Sequence, residues 1–259
     1  MASAPRTLRS VETPGISLWI LRTLLLAGLL VAWQWLPGLL GVKSYIFPTL
    51  SELASAFASN TSMLSDALMA TMEESVVGLL AGTAIGIWIA LVCFYAKPLR
   101  ASIFGLLVAL TSVPLIGLAP VAVLLFGSGV ASKMALVTFV TAFTLALYTL
   151  QGLDTAPREE LLLLRAFDAR ELDVIRQYRI PAALPHMANG FRFAAGQAVL
   201  LAIVGELFSA ERGIGAVILQ QTSLSGYVVM WAASVEGALA GLVLFGLASL
   251  AARKVLWWQ

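Results

Sequence analysis

Glu206 and Glu236 stand inside apolar stretches of this chain. A carboxylate in such surroundings is costly unless a partner or a polar path receives it, which makes each a candidate for function. For Glu206, near the outer end of its stretch, two roles fit: a group facing a transport pathway, or half of a structural ion pair with Arg212 a few residues on. Glu236 carries the choice between pathway and helix packing. Thr111, Ser112, Thr141 and Gln197 are uncharged hydrogen-bonding groups in similar stretches. They suit a path for an anion or a small polar solute, and equally suit bonds between helices; Ser112, beside Pro114, is the best placed for a path. Covalent and metal chemistry is poorly supplied. The single cysteine, Cys93, cannot close an intrachain disulfide, and the single histidine, His186, cannot build a metal site alone. There is no H-E-x-x-H, no G-x-S-x-G and no phosphate-cradling G-x-x-x-x-G-K-S/T. No catalytic residue, metal or resident cofactor is therefore expected, and ATP hydrolysis by that route is excluded for this chain.

The composition says what must position these groups. Of 259 residues, 60% are hydrophobic and 12% charged, with a mean hydropathy of +0.92, well outside the range of soluble domains. The chain reads as an all-α membrane protein. A hydrocarbon core about 30 Å thick takes roughly 20 apolar residues per helical crossing, so there is room for about six crossings in one domain over 1–259. The apolar runs fall at Ile16–Leu36, Ser75–Tyr95, Ala101–Phe126, Ser132–Leu150, Ala183–Phe208 and Val229–Ala251. The first, behind Arg6 and Arg9, is too long for a cleaved signal peptide and lacks a small-x-small site. The third reads as one crossing kinked at Pro114 and Pro120. Thr49 or Ser51 suits the cap of a short surface helix reaching about Ala58. Glu73 and Glu74 mark a membrane boundary. Gly78, Gly82 and Gly86 recur every fourth residue, which stacks them on one face where two helix backbones can approach closely. Trp19, Trp33, Trp35, Trp231, Trp257 and Trp258 fall near span ends, as an interfacial aromatic belt requires.

Between the fourth and fifth runs the chain turns polar. From Gln151 to Arg179, Arg158, Arg165, Arg170, Arg176 and Arg179 interleave with Glu159, Glu160, Asp168, Glu171 and Asp173. Asp154 or Thr155 can cap a helix there, Pro157 suits its first turn, and Glu159 and Glu160 suit its positive end. Leu161, Leu164, Ala169 and Leu172 add apolar surface, which makes the segment a docking element for another protein. The run Ile180–Pro185 ends the loop before the fifth crossing. Counting Lys and Arg places this loop and both termini on the cytoplasmic side, because Lys43, Lys133 and Arg212 are the few basic residues opposite.

From Gln151 to about Gly215 the sequence resembles the cytoplasmic loop and following helix of bacterial ABC importer permeases, whose consensus runs Glu-Ala-Ala, three residues, Gly, nine residues, Ile-x-Leu-Pro. Arg165-Ala166-Phe167-Asp168-Ala169-Arg170 occupies the Arg-Thr-Leu-Gly-Ala-Ser portion, and Tyr178, Ile180 and Pro181 the Ile, Leu and Pro. Phe47-Pro48-Thr49, Ser112-Val113-Pro114, Phe126-Gly127-Ser128-Gly129, Gly205-Glu206-Leu207 and Gly213-Ile214-Gly215 resemble landmarks of the nitrate, sulfonate and taurine branch, so the likeness is nearly full length. Two departures stand out: Leu162-Leu163-Leu164 replaces Glu-Ala-Ala, and Asp168 replaces the Gly. Asp is among the few residues that tolerate a left-handed turn.

This resemblance implies a type I ABC importer permease fold with its core over about 68–251 and a coupling helix in a cytoplasmic loop over 152–182. It implies a multi-pass protein of the bacterial inner membrane. Glu159, Glu160, Arg165, Ala166, Phe167, Asp168, Ala169, Tyr178, Ile180 and Pro181 would contact the ATPase. The implied partners are two cytoplasmic ABC ATPase subunits, which bind ATP and Mg, a second permease copy in a homodimer, a periplasmic or lipid-anchored solute-binding protein, and membrane lipid, with no nucleic acid. The implied cargo is a small polar or anionic solute of the nitrate, sulfonate, taurine, bicarbonate or pyrimidine-precursor type, moved by alternating access. The alternative is a secondary active transporter independent of an ATPase, for which paired internal repeats and midplane acidic residues are expected and no repeat is found.

Overall fold

The computed structural model describes residues 15–111, 113–167, 169–209 and 211–256. Arg6, Arg9, Ser112, Asp168, Trp257 and Trp258 lie outside the described residues. The described chain is helical, without strands: α1 Gly15–Leu39, α2 Leu50–Ser59, α3 Thr61–Tyr95, α4 Lys97–Thr111, α5 Leu115–Phe126, α6 Val130–Asp154, α7 Arg158–Ala166, α8 Glu171–Val174, a π turn Ile175–Arg179, α9 Ile180–Ser209, α10 Ile214–Ser223 and α11 Tyr227–Val255. Five segments are long and apolar enough to cross a membrane: α1, α3, α6, the α8–α9 run and α11.

The glycine spacing reads correctly and explains the centre of the bundle. A Cβ on Gly78 would lie 2.6 Å from the Val137 Cβ, one on Gly82 2.6 Å from the Thr138 carbonyl, and one on Gly86 2.8 Å from the Leu145 Cβ. Helices α3 and α6 are therefore in backbone contact along several turns, where dispersion forces hold helices that gain little hydrophobic drive from lipid. Helix α9 packs on α6, and α11 on α9, through small residues such as Ala194, Ala195, Ala198 and Ala202 with Leu201 and Leu244. At one end of the bundle Arg179 reaches back, donating to the Leu153 carbonyl at 3.0 Å and lying 4.9 Å over the Phe94 ring. This is the loop end. The start of α3 and the end of α9 lie at the far end.

Thr49 caps α2 as expected. Its hydroxyl accepts from the Glu52 amide at 3.4 Å while Glu52 accepts from the Thr49 amide at 2.8 Å, a reciprocal capping box. Ser44 adds a short hydroxyl bond to the Glu52 carboxylate, and together these hold that carboxyl below its ordinary range. Helix α1 attaches beside this cap, where Gln34 exchanges two hydrogen bonds with Ser51 and Trp33 donates to the Pro48 carbonyl at 3.0 Å. Residues 18–32 of α1 are exposed.

Three boundaries differ from the sequence reading. Helix α3 begins at Thr61, well before Ser75, because Leu64, Ala67, Ala70 and Thr71 continue its buried face beneath an exposed polar one. Residues 101–126 form two helices rather than one kinked rod: α4 ends at Thr111 and α5 begins at Leu115, with Pro114 in the extended N-cap conformation of α5. Pro181 and Pro185 do not end the loop. They lie within α9, which opens straight from the π turn. Pro181 sits in the first turn, where a missing N–H costs least.

Candidate functional site

At the loop end, Glu159 and Glu160 occupy the first turn of α7, on its exposed surface. Arg165 and Ala166 end the helix, and Phe167 follows it, 79% exposed. The Ala169 amide closes back on the Leu164 carbonyl at 3.1 Å, ahead of α8. Tyr178 lies in the π turn and Ile180 opens α9, both half-buried, with Pro181 exposed beside them. Leu162, Leu163 and Leu172 are also largely exposed. Short amphipathic helices with large apolar side chains facing outward next to charged ones form a surface suited to a protein partner.

The far end is built differently. Glu206 is fully buried, and so are Thr71, Glu74 and Lys133. Thr71 shares its hydroxyl with Glu206 Oε1 at 2.7 Å and accepts from the Ile214 amide at 2.9 Å; Glu206 Oε2 accepts from the Gly215 amide at 2.6 Å. Lys133 lies 4.0 Å from Glu74 and donates to the Ser128 carbonyl at 3.3 Å. The charged neighbours of the Glu74 carboxyl are Glu206, Lys133 and Arg212. Above this network opens a cleft of about 1110 Å³ between α3 and α10, lined among others by Asp66, Glu73, Glu211, Arg212 and Gln220.

The expected Glu206–Arg212 pair does not form. Arg212 bonds Glu73 at 3.1 Å on the rim, with both side chains about half exposed. Glu73 and Glu74 do not jointly mark a boundary: one points to the cleft and the other is buried. Thr141 is buried against Gly82, its hydroxyl without a hydrogen-bond partner. Thr111 ends α4. Gln197 on α9 and Glu236 on α11 are half-buried. Among the described candidate pathway residues, Glu206 joins the far-end network. The sequence reading missed Thr71, Glu74, Lys133 and α10. A signal existed, since Thr71, Glu74 and Ser75 continue the face of Gly78, Gly82 and Gly86 at helical spacing.

Comparison with known proteins places these features. Residues 82–256 match the family described as "Binding-protein-dependent transport system inner membrane component". A probable ABC transporter permease protein of Haemophilus influenzae is 30% identical over 215 residues, covering 83% of this chain and 88% of that protein. The formylaminopyrimidine transport permease of Halalkalibacterium halodurans is 29% identical, covering 74% and 77%. A putative aliphatic sulfonates transport permease of Bacillus subtilis is 26% identical, covering 93% and 88%. The inward-facing MetNI methionine ABC transporter structure superposes with a TM-score of 0.66 at 20% identity, covering 75% of this chain and 97% of that one.

Proposed function

Because the chain belongs to the family of binding-protein-dependent transport system inner membrane components, the permease subunits of ABC importers, we propose that it works as one of two identical permease copies in the bacterial inner membrane. The α7–π turn segment, 158–179, is its coupling element. One observation carries this: Leu162, Leu163 and Phe167 stand exposed outside the long spans, in the segment that leads into α9. Two cytoplasmic ATPase subunits dock there and supply the free energy of transport with their own ATP and Mg. Both termini share that side, and the far-end cleft faces the periplasm, where a solute-binding protein delivers cargo. The core over about 68–251 carries the pathway.

Relatives named for formylaminopyrimidine and aliphatic sulfonate transport support a small polar or anionic cargo. Leucines at 162–164 in place of an acidic residue make the docking surface more apolar, and Glu159 and Glu160 one turn earlier supply the negative charge. ATP-driven closure of the ATPase pair displaces the coupling element, and α9 carries that displacement through the bundle.

Co-expression with the neighbouring genes tests the proposal. A nucleotide-binding subunit should co-purify with the tagged chain and be lost when 178–181 is replaced. Purification of the chain alone, with solute uptake by liposomes in the absence of ATP, would overturn it in favour of a secondary carrier.

A further inference from the structure

Helix α10 has no cap of its own. Its N-cap is Gly213, at φ 104°, which offers no side chain, so the first amides of the helix must find acceptors elsewhere. Two of them do, on two other helices: the Ile214 N–H bonds Thr71 of α3, and the Gly215 N–H bonds Glu206 of α9. A Cβ at position 213 would overlap the Glu206 carboxylate, so the glycine is needed for the carboxylate to reach the helix end. A negative side chain at a helix N-terminus is favoured by the helix dipole as well as by the hydrogen bonds. Thr71 and Glu206 also bond each other at 2.7 Å, which joins α3, α9 and α10 at one point.

That point lies directly behind the cleft, since Ala70 and Gly213, the neighbours of Thr71 and Ile214, line it. One wall is α3, with Met63, Asp66 and Met69; the other is α10, with Leu219, Gln220 and Ser223. The separation of the walls is set where the two helices are joined. The rim pair Arg212–Glu73 also spans them, but it is solvent-exposed and contributes little by itself. Helix α9 runs unbroken for 30 residues from the π turn to Ser209, a length of about 45 Å. It is therefore a single element with the coupling segment at one end and the α10 cap at the other.

We propose that Glu206, with Thr71, is the positioning latch of the transport cycle: it sets the aperture of the far-end cleft and makes α10 move with α9. This rests on the importer reading above. Displacement at the coupling segment reaches the cleft through α9, and α10 follows because leaving Glu206 and Thr71 would strand the two buried amides of Ile214 and Gly215 and the Oε2 oxygen of Glu206. The latch depends on hydrogen-bond geometry, which gives it a conservative variant. In E206Q the amide oxygen accepts from the Gly215 N–H and the amide nitrogen donates to Thr71 Oγ1, whose own proton turns to the Ala67 carbonyl 3.1 Å away. E206A removes both contacts.

The test uses the full complex with its ATPase and binding protein in liposomes, with spin labels at Met69→Cys and Leu219→Cys on the two exposed walls of one permease copy, the other copy left unlabelled; Cys93 is buried and does not compete for label. The unsubstituted latch should give one narrow distance distribution, E206A a broad one, and E206Q the narrow one again. Solute uptake should fall roughly tenfold in E206A, with ATP hydrolysis by the assembled complex within about twofold and uptake restored in E206Q. Unchanged distances and uptake in E206A overturn the latch, as does an E206Q that behaves like E206A. If E206A does not assemble, T71V, which removes only the hydroxyl, carries the same two readouts. A complex that moves no solute with the native latch refutes the importer reading instead, and the distance measurement still decides the latch.

Discussion

The two ends of α9 satisfy their side chains in opposite ways. At the loop end, Leu162, Leu163, Phe167 and Leu172 face outward from short helices that make few contacts with the bundle. At the far end, charged and polar groups from α3, α6 and α9 are fully buried around the start of α10. Apolar surface outside a membrane span is stable only when something covers it, and polar groups inside a span are stable only when their partners are present. The loop end is incomplete within one chain, whereas the far end is completed by the chain itself. The difference separates the two kinds of damage that substitution can do: loss of assembly at one end, loss of internal geometry at the other.

The contrast requires a rigid centre, and the largest expected effect is there. Gly82→Leu drives a side chain into the Thr138 backbone and the Thr141 side chain, which should cost about 3 kcal/mol or more and disable both ends together. Loss of the monodisperse species in detergent is the readout, and a normally folded variant would show that α3 and α6 do not brace the molecule. The next effect separates the ends. Replacing Leu163 and Phe167 together by aspartate should weaken ATPase capture by about 2–4 kcal/mol while leaving the thermal unfolding temperature unchanged, because both side chains are exposed. A matching fall in thermal stability would place them in the chain's own packing. Thr71→Val is the mirror experiment: it should lower stability by about 1–3 kcal/mol without reducing ATPase co-purification.

Smaller effects calibrate the surface. Thr49→Ala removes the cap of α2 and should cost about 1 kcal/mol, measured by thermal unfolding at neutral pH. Acid should act on the same cap. Glu52 binds protons less readily folded than unfolded, so its contribution is present above the ordinary value of 4.5 and lost as pH falls through the lower folded one. Ser44→Ala, which removes the largest cause of that shift, should therefore flatten the acid side of the stability profile. Arg212→Ala should cost below about 1 kcal/mol and only at low salt, since the Glu73 pair is exposed; a larger loss would mean that the rim, and not only the buried contacts, holds the cleft.

The elements that were legible from sequence are those with a local cause. The Thr49 cap needs only Glu52 three residues on, and the glycine face needs only a spacing of four. The far-end network was not legible because its members come from four helices and are brought together by packing alone. Hydropathy also misled at both of its edges. Counting charge puts Lys133 on the outer side and Glu74 at a boundary but registers no enclosure, and α3 was cut short because its first turns bury one face while exposing Ser62, Ser65 and Asp66 on the other. The π turn at 175–179 has a similar consequence. It shifts helical phase, so a period of 3.6 cannot be followed from α8 into α9.

The glycine face of α3 also constrains how this sequence can change. At 78, 82 and 86 even a methyl group would overlap α6, while Val77 and Leu80 on the opposite side of the same helix are exposed to whatever surrounds the bundle. A saturation library should therefore give α3 a tolerance profile with a four-residue beat: three positions that accept glycine alone, separated by positions open to most apolar residues. Compensation would have to come in pairs, with Val137, Thr141 or Leu145 shrinking as its glycine grows. Sequence drift along this helix is thus coupled to α6 rather than to the cargo.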